Sequence, residues 1–170
     1  MRPPMNPNDA FGRVLYSLAR ALALFGGGAL IVIVAVSFLS ILGRFLFSSP
    51  LVGDFELVEM GCAVAISAFL PLCQLRRGNV MVDFVTSGLS ERTKEALDAF
   101  STLLFGLIAL FFAWRMVFGA QDMYSYNEQT MLLQLPVWVP FLPVVFSFFL
   151  LALCCFHGSV RHMRRAAGRA

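Results

Sequence analysis

The sequence predicts an all-α integral membrane protein with four transmembrane helices and both termini in the cytoplasm. Of its 170 residues, 59% are hydrophobic and only 14% are charged, whereas soluble domains have about 45–50% apolar and about 25% charged residues. The mean hydropathy of +0.78 agrees with a membrane location. The arginines flank apolar stretches instead of lining one face, which argues against a nucleic-acid-binding protein.

The chain is predicted to form a single membrane domain over residues 1–170. Each apolar stretch has roughly the 20 residues needed to cross about 30 Å of hydrocarbon. The predicted spans are 21–43, 55–75, 96–119 and 135–156. The first is longer than the apolar core of a signal peptide, about 7–15 residues, so we expect it to be retained. Asp9 is a candidate cap for a helix that continues into this span.

The charges at the two ends of the second span indicate its orientation in the membrane. Acidic residues precede it from Asp54, and paired arginines follow it at Arg76 and Arg77. Basic residues stay preferentially on the cytoplasmic side. With four spans and both termini inside, eleven of the 13 basic residues are cytoplasmic: Arg2, Arg13, Arg20, Arg76, Arg77, Arg92, Lys94, Arg161, Arg164, Arg165 and Arg169. Only Arg44 and Arg115 then lie towards the outside, and an odd number of spans would misplace one arginine-rich terminus.

Three further segments have local signals. Gly26 to Gly28, in the first span, mark either a close contact between helices or a hinge. The polar segment 120–134 is predicted to be an outer loop, followed by Pro136 in the first turn of the fourth helix and Trp138 in the interfacial aromatic belt. Whether residues 79–88 form a surface helix stays open.

No residue pattern indicates catalysis, a cofactor or a metal. The chain lacks a phosphate-binding glycine loop, a nucleophile elbow and an H-E-x-x-H motif. Its four cysteines lie in or beside apolar stretches, where a thiol behaves as a small hydrophobic group. His157 and His162 lie on one segment, whereas a membrane haem needs facing ligands.

Glu56 and Glu59 are the acidic residues that demand an explanation, because they lie three apart on one helix face at the start of the second span. One interpretation is an ion pair of either glutamate with Arg44 across the short turn. The other is contact with a partner subunit, since ionisable groups within a span are functional candidates.

Several short sequence motifs occur in a defined order along the chain. Arg44 comes after the first span and Glu56 and Glu59 begin the second, and the inner loop reads Arg76-Arg77-Gly78-Asn79-Val80-Met81-Val82-Asp83. The outer loop reads Glu128-Gln129-Thr130 and then Leu135-Pro136-Val137-Trp138. Over nearly its whole length the chain therefore resembles the small membrane subunit of tripartite ATP-independent periplasmic (TRAP) transporters, the DctQ-like family. Asn79 stands where that family often has His, which puts in doubt a role for a titrating imidazole there.

The resemblance implies a non-catalytic subunit of the bacterial inner membrane that scaffolds a large multi-span permease. The permease would hold the substrate and coupling-ion sites, usually for sodium, and a periplasmic substrate-binding protein would deliver an organic anion such as a carboxylate or sialic acid. Candidate interface or structural residues are Arg44, Glu56, Glu59, Arg76, Arg77, Gly78, Asp83, Glu128, Pro136 and Trp138. Two alternatives are a membrane anchor of a redox complex, which requires haem or quinone, and a small self-sufficient exporter, which requires a carboxylate at mid-depth.

Overall fold

The computed structural model describes residues 10–48, 52–76 and 91–166. These residues form the helices α1 (Ala10–Phe47), α2 (Asp54–Leu75), α3 (Glu91–Ser125) and α4 (Phe141–Ala166). The stretches that are long and apolar enough to cross a membrane are Phe11–Leu46, Asp54–Leu75, Leu97–Ser125 and Phe141–Arg161. The predicted all-α architecture with four membrane-spanning helices is confirmed, whereas the side on which the termini lie remains a prediction.

Helix α1 is much longer than its predicted span. Its 38 residues extend for about 57 Å at 1.5 Å per residue, about twice the thickness of the hydrocarbon core. It begins at Ala10, as expected for a helix that continues into the membrane, although Asp9 lies outside the described residues. Leu15 and Ala19 are buried against Leu150 and Cys154 of α4, so the first turns of α1 belong to the bundle.

Helix α3 also continues beyond its predicted end, through residues 120–125 that were expected in the outer loop. The helix ends at Ser125, and Asn127, two residues beyond it, adopts a left-handed conformation with φ 53°. The N–H of Glu128 donates to the carbonyl of Met123 (3.1 Å), and the N–H of Asn127 donates to that of Tyr124 (3.2 Å). This pair of bonds is a Schellman motif, in which Asn is a common substitute for Gly.

Helix α4 begins at Phe141, later than expected, and Pro136 is not in its first turn. A proline disfavours the helical conformation of the residue before it, so Pro136 and Pro140 keep Leu135 and Val139 out of a helix. The first bond of the helix joins the N–H of Val144 to the carbonyl of Pro140 (3.4 Å).

The helices pack in the order α1, α2, α4, α3, so that α1 and α3 lie at the two edges of a row. Small residues allow the closest approaches, as expected in a membrane protein. Gly26 of α1 lies against Ala65 and Ala68 of α2, and Gly106 of α3 lies against Cys155 of α4. Cys154 and Cys155 are buried among apolar side chains, which agrees with their interpretation as core residues.

Each end of the bundle has a hydrogen bond between neighbouring helices. The Glu56 end is the end of the bundle at which α1 and α3 finish and α2 and α4 begin. The Arg76 end is the opposite end. Ser40 of α1 bonds Asp54 of α2 at the Glu56 end. At the Arg76 end, Ser159 of α4 donates to the carbonyl of Ala99 of α3 (2.9 Å).

Candidate functional site

The start of α2 is held by a tight turn and a polar contact to α1. Gly53 adopts φ 80°, a left-handed conformation that a side chain would strain, and the side chain of Leu133 covers the place a Cβ would take. Asp54 accepts a hydrogen bond from the buried Ser40 hydroxyl (2.6 Å) and one from the N–H of Phe55 (2.9 Å). The turn between α1 and α2 therefore has a defined geometry that presents the next carboxylate, Glu56, towards the α3–α4 connection.

Glu56 binds the backbone of that connection with both of its carboxylate oxygens. One oxygen accepts the N–H of Leu132 (2.8 Å) and the other accepts the N–H of Leu133 (3.0 Å). Bonds from backbone N–H groups to an ionised carboxylate are stronger than those between neutral groups. They join segments more than 70 positions apart in the chain and fix the connection over the start of α2.

The connection itself is a compact hairpin over residues 126–140. The backbone carbonyl of Glu128 accepts the N–H of Val137 (3.1 Å), and the N–H of Thr130 donates to the carbonyl of Leu135 (2.9 Å). The Thr130 hydroxyl accepts the N–H of Leu135 (3.1 Å), which closes the tip. Five residues (Glu128, Gln129, Thr130, Leu135 and Pro136) thus lie in two short facing arms, with Gln129 opposite Pro136.

Trp138 connects this hairpin to the membrane-spanning part. Its ring lies edge-on to that of Tyr124, with 5.6 Å between the ring centroids. Below the two rings, a groove of about 550 Å³ opens between α3 and α4. Its lining is Val117, Ala120, Gln121, Tyr124, Trp138, Phe141, Leu142, Val145, Phe146 and Phe149. The groove is almost wholly apolar and therefore suits hydrocarbon rather than a charged solute.

Comparison with protein families gives the assignment. Residues 33–165 match the family described as tripartite ATP-independent periplasmic transporters, DctQ component. The chain belongs to this DctQ family. The match includes the last part of α1, all of α2 and α3 and nearly all of α4, and so contains the hairpin and Glu56. No match was found among the curated proteins or among the solved structures. DctQ is a transporter component, and the chain's membership of this family agrees with its four helices that are long and apolar enough to cross a membrane.

Four of the residues predicted for a DctQ-like site meet at the Glu56 end. Glu56, Glu128, Pro136 and Trp138 all lie in the hairpin or in contact with it. Arg44, near the end of α1, is exposed and forms no ion pair with either glutamate of α2 among the residues that the structure describes. Of the two glutamates for which an ion pair with Arg44 was one interpretation, Glu56 instead accepts the two N–H groups of the hairpin.

The remaining predicted residues of this DctQ chain lie elsewhere. Arg76 is at the opposite end, where its Nη2 donates to the Tyr16 hydroxyl of α1 at 3.4 Å. Arg77, Gly78 and Asp83 fall outside the described residues, as does Asn79. The described part of the chain holds no group of three His, Cys, Asp or Glu side chains placed to bind a metal.

Glu59 lies on an exposed stripe of α2, which we define as Phe55, Glu59, Ala63 and Ile66. The side chains of Phe55 and Ile66 are 76% and 63% exposed, although α2 lies inside the row between α1 and α4. A carboxylate on such a face requires water, a headgroup or a donor from another chain. The α2 stripe is therefore the candidate contact surface of this DctQ chain.

Sequence reasoning identified the segments of the hairpin but not their pairing. Glu128-Gln129-Thr130 and Leu135-Pro136-Val137 were two separate motifs, although they face one another across the 131–134 tip. Their short separation, with Thr130 able to close a turn, was the available signal. Ser40, buried at 1% exposure as the partner of Asp54, was missed because a serine within an apolar stretch is ordinary.

Proposed function

We propose that this chain is the scaffold subunit of a TRAP transporter and binds the large permease subunit through the α2 stripe. The permease contains the sites for an organic anion, such as a carboxylate or sialic acid, and for the coupling ion, sodium. A periplasmic binding protein delivers the substrate. Family membership supports the role of transporter component, and the partners, substrate class and ion follow from the family resemblance.

We further propose that the chain lies in the bacterial inner membrane with its termini and the Arg76 end in the cytoplasm. The hairpin and the Glu56 end then face the periplasm. The support is the distribution of charge, since eleven of the 13 basic residues fall on the proposed inner side.

The exposed carboxylate of Glu59 is the observation that carries the assignment of the interface. Glu59 lies more than one turn into α2, past the Asp54 and Glu56 contacts that fix the start of the helix. Neighbouring Ala63 is small, which permits a second helix to approach closely. A hydrogen-bond donor on the permease, seated over Ala63, would satisfy the carboxylate.

The apolar groove supports placing the substrate on the permease. An organic anion requires cationic or hydrogen-bonding groups in its site, whereas the groove between α3 and α4 offers mainly aromatic and aliphatic side chains. The chain is accordingly expected to influence transport through assembly and not through selective substrate binding.

Co-purification of the tagged chain, expressed with its neighbouring genes, tests the proposal. The wild-type chain should recover a large multi-span permease at equal stoichiometry in mild detergent. Ala63→Leu should reduce recovery strongly, because the added side chain blocks close approach. Ala35→Leu is the matched control, since Ala35 is an exposed alanine on α1 outside the stripe, and it should not change recovery.

Two results would contradict the proposal at different levels. Recovery of the wild-type chain alone would refute the role as a permease scaffold. Equal recovery with Ala63→Leu and Ala35→Leu, with the permease present, would refute the α2 stripe as the interface.

Glu59→Lys should also abolish recovery without altering the helical circular dichroism of the isolated chain.

A further inference from the structure

A cluster of basic side chains lies at the Arg76 end, far from the hairpin. Arg76 bonds the Tyr16 hydroxyl, and the charge of Arg20, one turn after Tyr16, acts on the same hydroxyl. Arg13 lies one turn before Tyr16, and spacings of three and four place the two α1 arginines on one face with Tyr16. We call Arg13, Arg20 and Arg76 the arginine cluster; all three are exposed.

The arginine cluster lacks a countercharge in the described structure. Among the side chains that the structure describes, which exclude those of Glu91 and Glu95, no ion pair joins any of the three guanidinium groups to a carboxylate. Arg20 and Arg76 act on one hydroxyl and Arg13 shares its helix face, so these like charges repel one another and an anion between them would offset the repulsion. Guanidinium groups bind phosphate oxygens in a bidentate geometry that suits this role.

The depth of the cluster matches the headgroup layer. Arg20 and Arg44 mark opposite ends of the apolar part of α1 and are separated by about 36 Å at 1.5 Å per residue. The hydrocarbon core is about 30 Å thick. Arg20 therefore lies at one edge of the core, where phospholipid phosphates are found.

An apolar surface continues from the cluster towards the middle of the membrane. The face of α1 below Arg20 carries Leu24 and Ile31, which are 68% and 73% exposed. Between them, Gly28 borders open space, and Gly27 has a Phe69 ring atom of α2 at 3.9 Å from its Cβ position. We call this shallow surface the glycine depression. It extends from Arg20 for about 16 Å, half the thickness of the hydrocarbon core.

We propose that the arginine cluster binds the phosphate of an anionic phospholipid, with one acyl chain along the glycine depression. The charge of the cluster selects an anion, and the adjoining apolar surface selects a lipid over free phosphate. Basic sites between membrane helices commonly bind lipid headgroups in this way. The proposal is independent of the permease contact, because it uses a different face and the opposite end of the bundle.

Lipid binding to the purified full-length chain in mild detergent, measured by native mass spectrometry, tests the site. The probes are palmitoyl-oleoyl phosphatidylglycerol and phosphatidylcholine with the same chains. For the first lipid molecule bound to each protein, the wild type should bind phosphatidylglycerol more tightly than phosphatidylcholine. Arg13→Gln with Arg20→Gln should weaken phosphatidylglycerol binding about thirtyfold, with phosphatidylcholine binding unchanged.

A double variant at the opposite end controls for net charge. Arg44→Gln with Arg115→Gln removes the same charge from two exposed arginines and should leave phosphatidylglycerol binding intact. Equal weakening by both double variants would overturn the proposal, because it would indicate attraction by overall charge only.

Gly28→Leu separates a lipid site from a site for free phosphate. The substitution places a side chain in the glycine depression, where nothing lies within 4 Å of its Cβ position. It should weaken phosphatidylglycerol binding severalfold, and millimolar inorganic phosphate should not displace the lipid. Unchanged binding with Gly28→Leu, or displacement by phosphate, would overturn the assignment. If the arginine variant loses its helical circular dichroism, Gly28→Leu decides the question alone.

Discussion

Alanine substitutions at Gly26, Gly27 and Gly28 test how closely α1 and α2 approach one another. A Cβ at Gly26 would lie 2.8 Å from the Cβ of Ala68 and 3.2 Å from the carbonyl oxygen of Ala65. Neither atom can rotate away, because one is a Cβ and the other is backbone. Gly26→Ala therefore requires the two helices to separate.

The other two glycines provide matched controls within the same turn. A Cβ at Gly27 would make an ordinary contact of 3.9 Å with Phe69, and one at Gly28 would meet nothing within 4 Å. All three variants gain the same helix propensity, about 1 kcal/mol for Gly→Ala. The difference between them therefore isolates the contact with α2. Forcing an extra methyl group into a filled interior costs about 1–3 kcal/mol.

We accordingly expect Gly26→Ala to be less stable than Gly28→Ala by about 1–3 kcal/mol, with Gly27→Ala close to Gly28→Ala. Thermal unfolding in one detergent, followed by far-ultraviolet circular dichroism, measures the order. Equal stability of Gly26→Ala and Gly28→Ala would refute the close approach of α1 and α2. Equal destabilisation by all three would instead indicate that the glycines serve as a hinge.

Two further predictions concern polar side chains that join different segments of the bundle. Glu56→Gln removes the charge and one acceptor oxygen, so the amides of Leu132 and Leu133 should exchange their hydrogens faster; unchanged exchange would contradict the carboxylate contact. Ser159→Ala removes a buried bond from α4 to a backbone carbonyl of α3 and should lower the unfolding free energy by about 1 kcal/mol. Ser101→Ala, at an exposed serine that bonds only its own helix, is the control and should have a smaller effect.

The four helices could be predicted from sequence because length and hydropathy suffice for a membrane span. Their ends could not, since each depends on a local geometry that composition describes poorly. Helix α3 ends at Ser125, where Asn127 adopts a left-handed conformation that closes the helix end. Helix α4 begins directly after Pro140, because a proline disfavours the helical conformation of the residue before it, here Val139.

The candidate site was predictable only as a set of positions. Glu56 was identified as unusual because it is a carboxylate at the start of a span, yet its acceptor role depends on two N–H groups of the hairpin. The expected partner, Arg44, was inferred from nearness in the chain. The fold instead brings Leu132 and Leu133 to Glu56, and no periodicity in the sequence specifies a backbone donor.

The position of Glu56 has a consequence for the whole bundle. The described helices form two pairs, α1 with α2 and α3 with α4. The main contact between the two pairs is that of α2 with α4. The start of α1 also packs against α4, but at the Arg76 end, so this contact does not hold the two pairs of helices together at the Glu56 end. Glu56 joins the two pairs of helices, because it lies on α2 and binds the hairpin that connects α3 to α4. Under the scaffold role proposed above, the chain must present its surface in one geometry, so we expect this carboxylate to contribute to assembly without touching the permease.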